Sequence, residues 1–171
     1  INDIELIKKD TFLQIDDFSI KSLELFQRID GERRGSLLDV IDRTKTASGG
    51  RLLKSFLKSP LNNIDQIKNR HTKVENFTNN SNILFNLIEH LKSQPDVERA
   101  ISRISAKTNN PRDLILLKIF INNAEKIFDE IKKINSKSMD DLFPDKLSRN
   151  KSKTLSSLIQ KNINDNPPIN I

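Results

Sequence analysis

The chain has 171 residues, 29 Lys and Arg against 23 Asp and Glu, a formal charge of +6, no Cys, no Trp and no Tyr. Without cysteine there is no disulfide framework and no thiolate zinc site, and a chain this long can bury a core without either. No apolar run approaches the roughly 18–20 residues of a membrane span. The nine Phe fall in apolar positions rather than between basic residues, unlike a surface that stacks single-stranded bases.

In chain order, residues 1–10 show no clear period. Residues 11–15 read as a short strand or extended lead-in through Phe12, Leu13 and Ile15. Asp16 or Asp17 caps a helix that the apolar residues Ile20, Leu23, Leu25 and Phe26 carry to about Gln27. Ser36 is an N-cap for Leu37–Ile41, with Asp39 at capping-box spacing. Arg43 to Lys45 break that helix, and Thr46 or Ser48 caps the next. Leu52, Leu53, Phe56 and Leu57 form one face of it before Pro60 stops it.

A third helix starts at Asn62 or Asn63, with Ile64, Ile67, His71, Val74 and Phe77 on one stripe, so His71 is expected at a packed position. Ile83 to Leu91 give a fourth helix. Pro95 is expected at the first helical position of the next, and Pro111 at that of the longest, which runs to about Ile134 along a seam of Leu114, Leu117, Ile121, Ala124, Phe128 and Ile131. Residues 135–150 are polar and broken by Pro144. A last helix covers 151–163, and the chain ends extended through Ile169. The pattern predicts an all-α architecture with one short strand at most.

Several clusters invite chemistry. Asp42-Arg43-Thr44 reads as a catalytic or ligand-binding trio, or as a charged hinge in which Asp42 and Arg43 pair and Thr44 caps; charged caps are common at helix junctions. Residues 46–51 resemble a phosphate loop, but the spacing is not GxxxxGK[ST] and no strand precedes it, so close approach of a neighbouring helix to the small residues is the simpler account. Arg33-Arg34 suits a phosphate contact or a solvated loop. Arg99, Arg103 and Arg112 are candidates for ion pairs with partners the sequence does not name. The two histidines, His71 and His90, have no partner at HExxH spacing, and the acid pairs read as caps and solvated faces.

From Gly35 to Leu61 the run GSLLDVIDRTKTASGGRLLKSFLKSPL, followed by Ile67, Arg70, Val74 and Glu75, then Pro95-Asp96-Val97-Glu98-Arg99, Ser102-Arg103, Pro111-Arg112-Asp113-Leu114 and Asp165-Asn166-Pro167-Pro168, resembles the MutS family of DNA mismatch repair proteins, specifically its core (lever) domain ahead of the clamp insertion. Leu13-Gln14-Ile15-Asp16 and Leu23-Glu24-Leu25 resemble the junction of connector and core. Ser22, Ser48 and Phe56 depart from the family's usual Asn, Met and Trp, and residues 135–163 match only in helical character.

The resemblance implies a piece of a larger protein, consistent with a chain that begins at Ile1. Residues 1–15 would end the connector domain and 16–171 would form the N-terminal half of the core domain. This segment would carry no catalytic, cofactor or metal residue. The intact protein would be a DNA-dependent ATPase, with ATP and Mg in its ATPase domain. It would bind mismatched duplex DNA as a homodimer, act with a MutL-type protein, and work in the bacterial cytoplasm without membrane contact. The positions expected to carry structure and coupling are Asp42, Arg43, Thr44, Gly49, Arg51, Pro60, Arg70, Glu98, Arg99, Arg112 and Asp113, with Arg43 in a packed junction at the lever base. The resemblance further implies that Leu117, Ile121 and Phe128 are partly uncovered in this segment. A stand-alone helical nucleic-acid-binding or protein-interaction module remains the alternative.

Overall fold

The computed structural model describes residues 12–168. Among these lie eight α-helices and one 3₁₀ helix, which agrees with the all-α expectation. The extended lead-in reduces to a single antiparallel bridge between Phe12 and Leu61, with the Leu13 N–H donating to the Pro60 carbonyl at 2.8 Å. Residues 1–11, including the start of the predicted strand and most of the expected connector end, lie outside the described residues, as do 169–171. The chain divides into two compact units, Ile1–Thr72 and Lys73–Ile171.

In the first unit, α1 (Asp17–Ser22) is capped by Asp16, which accepts the Ser19 N–H at 2.9 Å. It ends at Ser22, five residues before the apolar pattern does. Glu24 takes a left-handed φ of 48°. Its N–H bonds the Lys21 carbonyl, and the Leu25 N–H bonds that of Ile20, which closes the helix end. This early stop has a use. The Leu37 and Leu38 N–H groups, the otherwise unpaired first donors of α2 (Leu37–Ile41), donate to the carbonyls of Glu24 and Leu25 at 3.1 and 2.9 Å. Ser36 caps α2 through the Asp39 N–H, while Asp39 accepts from the Gly35 N–H at 3.0 Å rather than from the cap itself. α3 (Ala47–Lys58) follows.

α4 (Ile64–Asn79) begins in the first unit and ends in the second; Asn63 accepts the N–H groups of Asp65 and Gln66 at its start. Its expected stripe is only partly covered: Ile64, His71 and Val74 are exposed, so His71 is not a packed residue.

The second unit is built on α7 (Pro111–Lys132), 22 residues spanning about 33 Å. α5 (Ser81–Lys92), α6 (Val97–Ser105) and α8 (Lys146–Asn162) all pack on it. Leu87, Ile131, Ile134 and Met139 form the core, joined by Phe77, Ile83, Ile127 and Phe143. Met139 sits in the 3₁₀ helix Lys137–Leu142 and is among the most deeply buried side chains, inside a stretch whose polarity predicts only a loop. Asn76 fixes that turn by donating to Ser138 Oγ at 2.9 Å.

Two helix starts differ from expectation. α6 starts at Val97 behind the cap residue Asp96, which leaves Pro95 ahead of the cap. α8 starts at Lys146 rather than 151, because Asp145 accepts the Ser148 N–H at 2.9 Å and caps an additional turn. That longer α8 covers α7. Ile121 is buried, contrary to the expectation, while Leu117 and Phe128 are half-buried.

The α7–α8 contact is also ionic. Arg149 Nε donates to Glu125 Oε1 at 2.8 Å and Nη2 to Oε2 at 2.5 Å, with Lys153 Nζ at 3.0 Å from the same oxygen. Arg149, and then Lys153, hold the Glu125 carboxyl down from 4.5 to about 2. The Glu125 charge therefore stabilises the fold fully above pH 4.5, and this contribution is lost as pH falls toward about 2. Melting curves taken across that window should show stability dropping with acid, and Glu125→Gln should flatten the drop. Equal acid slopes for wild type and Glu125→Gln would contradict this.

Candidate functional site

The expected positions gather in two groups, one in each unit. In the first, Asp42 closes α2 and Thr46 opens α3. Asp42 Oδ1 accepts the Thr44 hydroxyl at 2.7 Å and the Thr44 N–H at 3.1 Å, and Oδ2 accepts Arg33 Nη2 at 2.9 Å. The Thr44 hydroxyl and amide, with Arg33 behind them, hold the Asp42 carboxyl below its ordinary range. The cation of this pair is thus Arg33, nine residues upstream, and not the adjacent Arg43. Arg43 is exposed, and its guanidinium donates to the Asp42 carbonyl at 3.2 Å, so it is not in a packed junction.

Gly49 explains itself sterically. A Cβ there would stand 2.9 Å from Thr46 Oγ1 and 3.5 Å from Thr44 Cβ; at Gly50 the nearest atom is Thr44 Oγ1 at 3.4 Å. The close approach is made by the 44–46 loop folding onto the first turn of α3, not by another helix. The amides a phosphate would need are occupied: Gly49 N–H donates to Thr46 Oγ1 at 2.9 Å and Gly50 N–H to the Thr46 carbonyl. Arg51 is exposed, reaches Ser48 Oγ at 3.4 Å, and shares an open cleft of about 550 Å³ with Arg33, Asp42 and Lys54. Pro60 ends α3 and accepts from Leu13. The Arg70 guanidinium lies 3.8 Å from the centre of the Phe56 ring, a cation–π contact that ties α4 to α3.

In the second unit, Asp113 stands at the third position of α7 and is nearly sealed from water. It accepts the Asn110 N–H at 3.1 Å, and Arg103 grips it with Nε at 3.0 Å and with Nη2. Asn110 in turn accepts the Arg112 N–H at 2.9 Å, which completes a capping box. Arg103, foremost, holds the Asp113 carboxyl below its ordinary range. Arg112 Nε donates to the Pro167 carbonyl at 3.3 Å. Arg99 makes a local pair with Asp96 at 3.2 Å, and Glu98 lies in the first turn of α6, where its carbonyl accepts the Ser102 hydroxyl.

Of the three arginines marked as ion-pair candidates, Arg103 is therefore the one that reaches across helices. Lys118, Glu125 and Arg149 also bridge elements and were not singled out in the sequence. The signal for Lys118 was present: it lies among the apolar positions of α7. Asp42 and Asp113 both accept from fixed donors and are held ionised, the reverse of what a proton donor requires. The chemistry of the arrangement is the fixing of helix ends.

Two outcomes follow for stability. Gly49→Ala should lower the melting temperature, because the new methyl displaces a cap worth about 1 kcal/mol, and the penalty should vanish in a Thr46→Ala background. Gly50→Ala should be neutral or stabilising; equal effects at 49 and 50 would refute the steric account. Arg43→Ala should change stability by less than about 0.5 kcal/mol. Arg103→Ala, which strands the buried Asp113 charge, should destabilise far more, and the reverse order would overturn this reading.

A family model described as MutS domain III matches residues 19–171. The chain is 38% identical over 162 residues to the DNA mismatch repair protein MutS of Clostridium tetani, covering 94% of this chain and 18% of that protein. It is 33% identical to the protein of that name from Halothermothrix orenii, over 100% of this chain and 19% of the relative. With that of Wolbachia pipientis wMel it shares 40% identity over 129 residues, 75% of this chain and 15% of the relative. The chain thus spans less than a fifth of the length of these curated relatives. The ordered motifs, the all-α fold and these matches agree, and the chain belongs to the MutS family as its domain III.

Proposed function

We propose that this segment is the mechanical link of an intact mismatch repair protein, joining the regions that bind mismatched DNA and clamp it to the ATPase domain. The observation that carries this is α7, a 22-residue rod held along its length by α5, α6 and α8. A helix supported in this way moves as a body, so a small rotation at one end becomes a larger displacement at the other. The Arg103–Asp113 corner serves as the joint at its N-terminal end. The Asp42–Thr44 hinge, with Gly49, Arg51, Pro60 and Arg70 around it, serves as the corresponding joint of the first unit.

On this reading residues 1–15 end the connector domain and 16–171 form the first half of the core domain. The intact protein is a DNA-dependent ATPase that acts in the bacterial cytoplasm as a homodimer on mismatched duplex DNA and recruits a MutL-type protein. ATP and Mg bind in its ATPase domain, and this segment contributes no catalytic group. Among the described residues no helix is long and apolar enough to cross a membrane.

The test is to soften the rod without touching its contacts. Lys126 is exposed on α7. In the full-length protein, Lys126→Gly adds about 1 kcal/mol of helix cost and Lys126→Ala adds none. Mismatch affinity without nucleotide should be the same in both. ATP-triggered release of DNA should slow in Lys126→Gly alone. Equal release by the two variants would sink the proposal.

A further inference from the structure

Beyond α8, residues 163–168 have no regular secondary structure, yet they are held on α7. Alternate residues are engaged: Ile163 is half-buried, Asp165 bonds Lys118, and Pro167 is buried, while Asn164, Asn166 and Pro168 are exposed. The segment runs toward the N-terminal end of α7, from Lys118 to Arg112. Lys118 Nζ donates to Asp165 Oδ1 at 2.5 Å and to Gln160 Oε1 at 2.8 Å, and Arg112 Nε donates to the Pro167 carbonyl at 3.3 Å.

The Lys118–Asp165 pair is one-sided. The lysine side chain is 8% exposed and the aspartate 70%. A buried ammonium is costly without a counter-charge, so the inner half of the pair holds the outer half in place. The outer half faces water, where solvent and salt compete for the carboxylate. Such a contact favours the closed arrangement but opens from its solvent side. Its far anchor is the single Arg112 bond to the Pro167 carbonyl, beside Asp113, which Arg103 and Asn110 fix.

We propose that residues 163–168 form a releasable strap, locked onto α7 by the Lys118 ammonium, that sets the direction in which the chain leaves α8. Lifting the strap removes the carboxylate from Lys118 and admits water to the ammonium, so strap opening and Lys118 hydration are one event. The strap goes beyond the link proposed above and stands or falls separately from it.

Lysine acylation with an acetyl succinimidyl ester, read peptide by peptide in the full-length protein by mass spectrometry, tests this. In wild type, Lys118 should label at least about tenfold more slowly than exposed Lys126 and Lys153. Asp165→Asn should accelerate Lys118 by about tenfold and leave Lys126 and Lys153 unchanged, which also shows that the helices remain folded. High salt should accelerate wild-type Lys118 in the same direction. Labelling of wild-type Lys118 as fast as Lys126 overturns the lock outright. So does a slow Lys118 that neither Asp165→Asn nor Asp165→Ala changes, since burial between helices alone would then protect it.

Discussion

Asp113 is 2% exposed, and a carboxylate so placed must have its charge met by groups that cannot move away. Three neighbours meet it. Arg103 brings α6 across α7, the Asn110 N–H closes the first turn, and the positive end of the α7 dipole lies beneath it. Because all three converge on one side chain, the crossing of α6 and α7 and the starting point of α7 are settled together. The rest of the second unit is laid along the axis defined there: α5 and α8 along the rod, and the Leu87–Ile131–Ile134–Met139 core at its far end.

The two units differ in what holds them. The second has a clustered apolar core and ionic ties between α7 and α8. Among its described residues the first has two buried apolar side chains, Leu25 and Leu38, and relies on caps: Asp16 on α1, Ser36 on α2 and Thr46 on α3, with Glu24 and Leu25 carbonyls receiving the first amides of α2. Phe18 and Ile29 stay largely exposed there. Hydrogen-bonded helix ends near solvent open more easily than packed apolar cores. By that measure the helix ends of the first unit open more readily than the apolar core of the second.

Much of this was legible in the residues. Helix caps are local, so Ser36, Thr46, Asn63 and Pro111 announce their helices from sequence, and the long apolar seam announces α7. The motif order announces the family. The misreadings share a cause. α1 stops early because its turn supplies acceptors to α2, a gain that lies a dozen residues away. Met139 is a lone apolar residue among Lys, Ser and Asp, with no period to mark it. Arg43 stands beside Asp42 in sequence, but Arg33 takes the carboxylate because the loop before α2 brings it round.

The sequence by itself determined the helical class, most helix starts and the family, since caps, turns and apolar periodicity act within a few residues. Only the tertiary structure decided which charges meet. Arg103 with Asp113, Arg149 with Glu125 and Lys118 with Asp165 are 10, 24 and 47 residues apart. Long-range pairing is chosen by where packed helices place their side chains, and no local pattern records that. It also decided that Ile121 is buried, because burial depends on the neighbours that arrive and not on the face that waits for them.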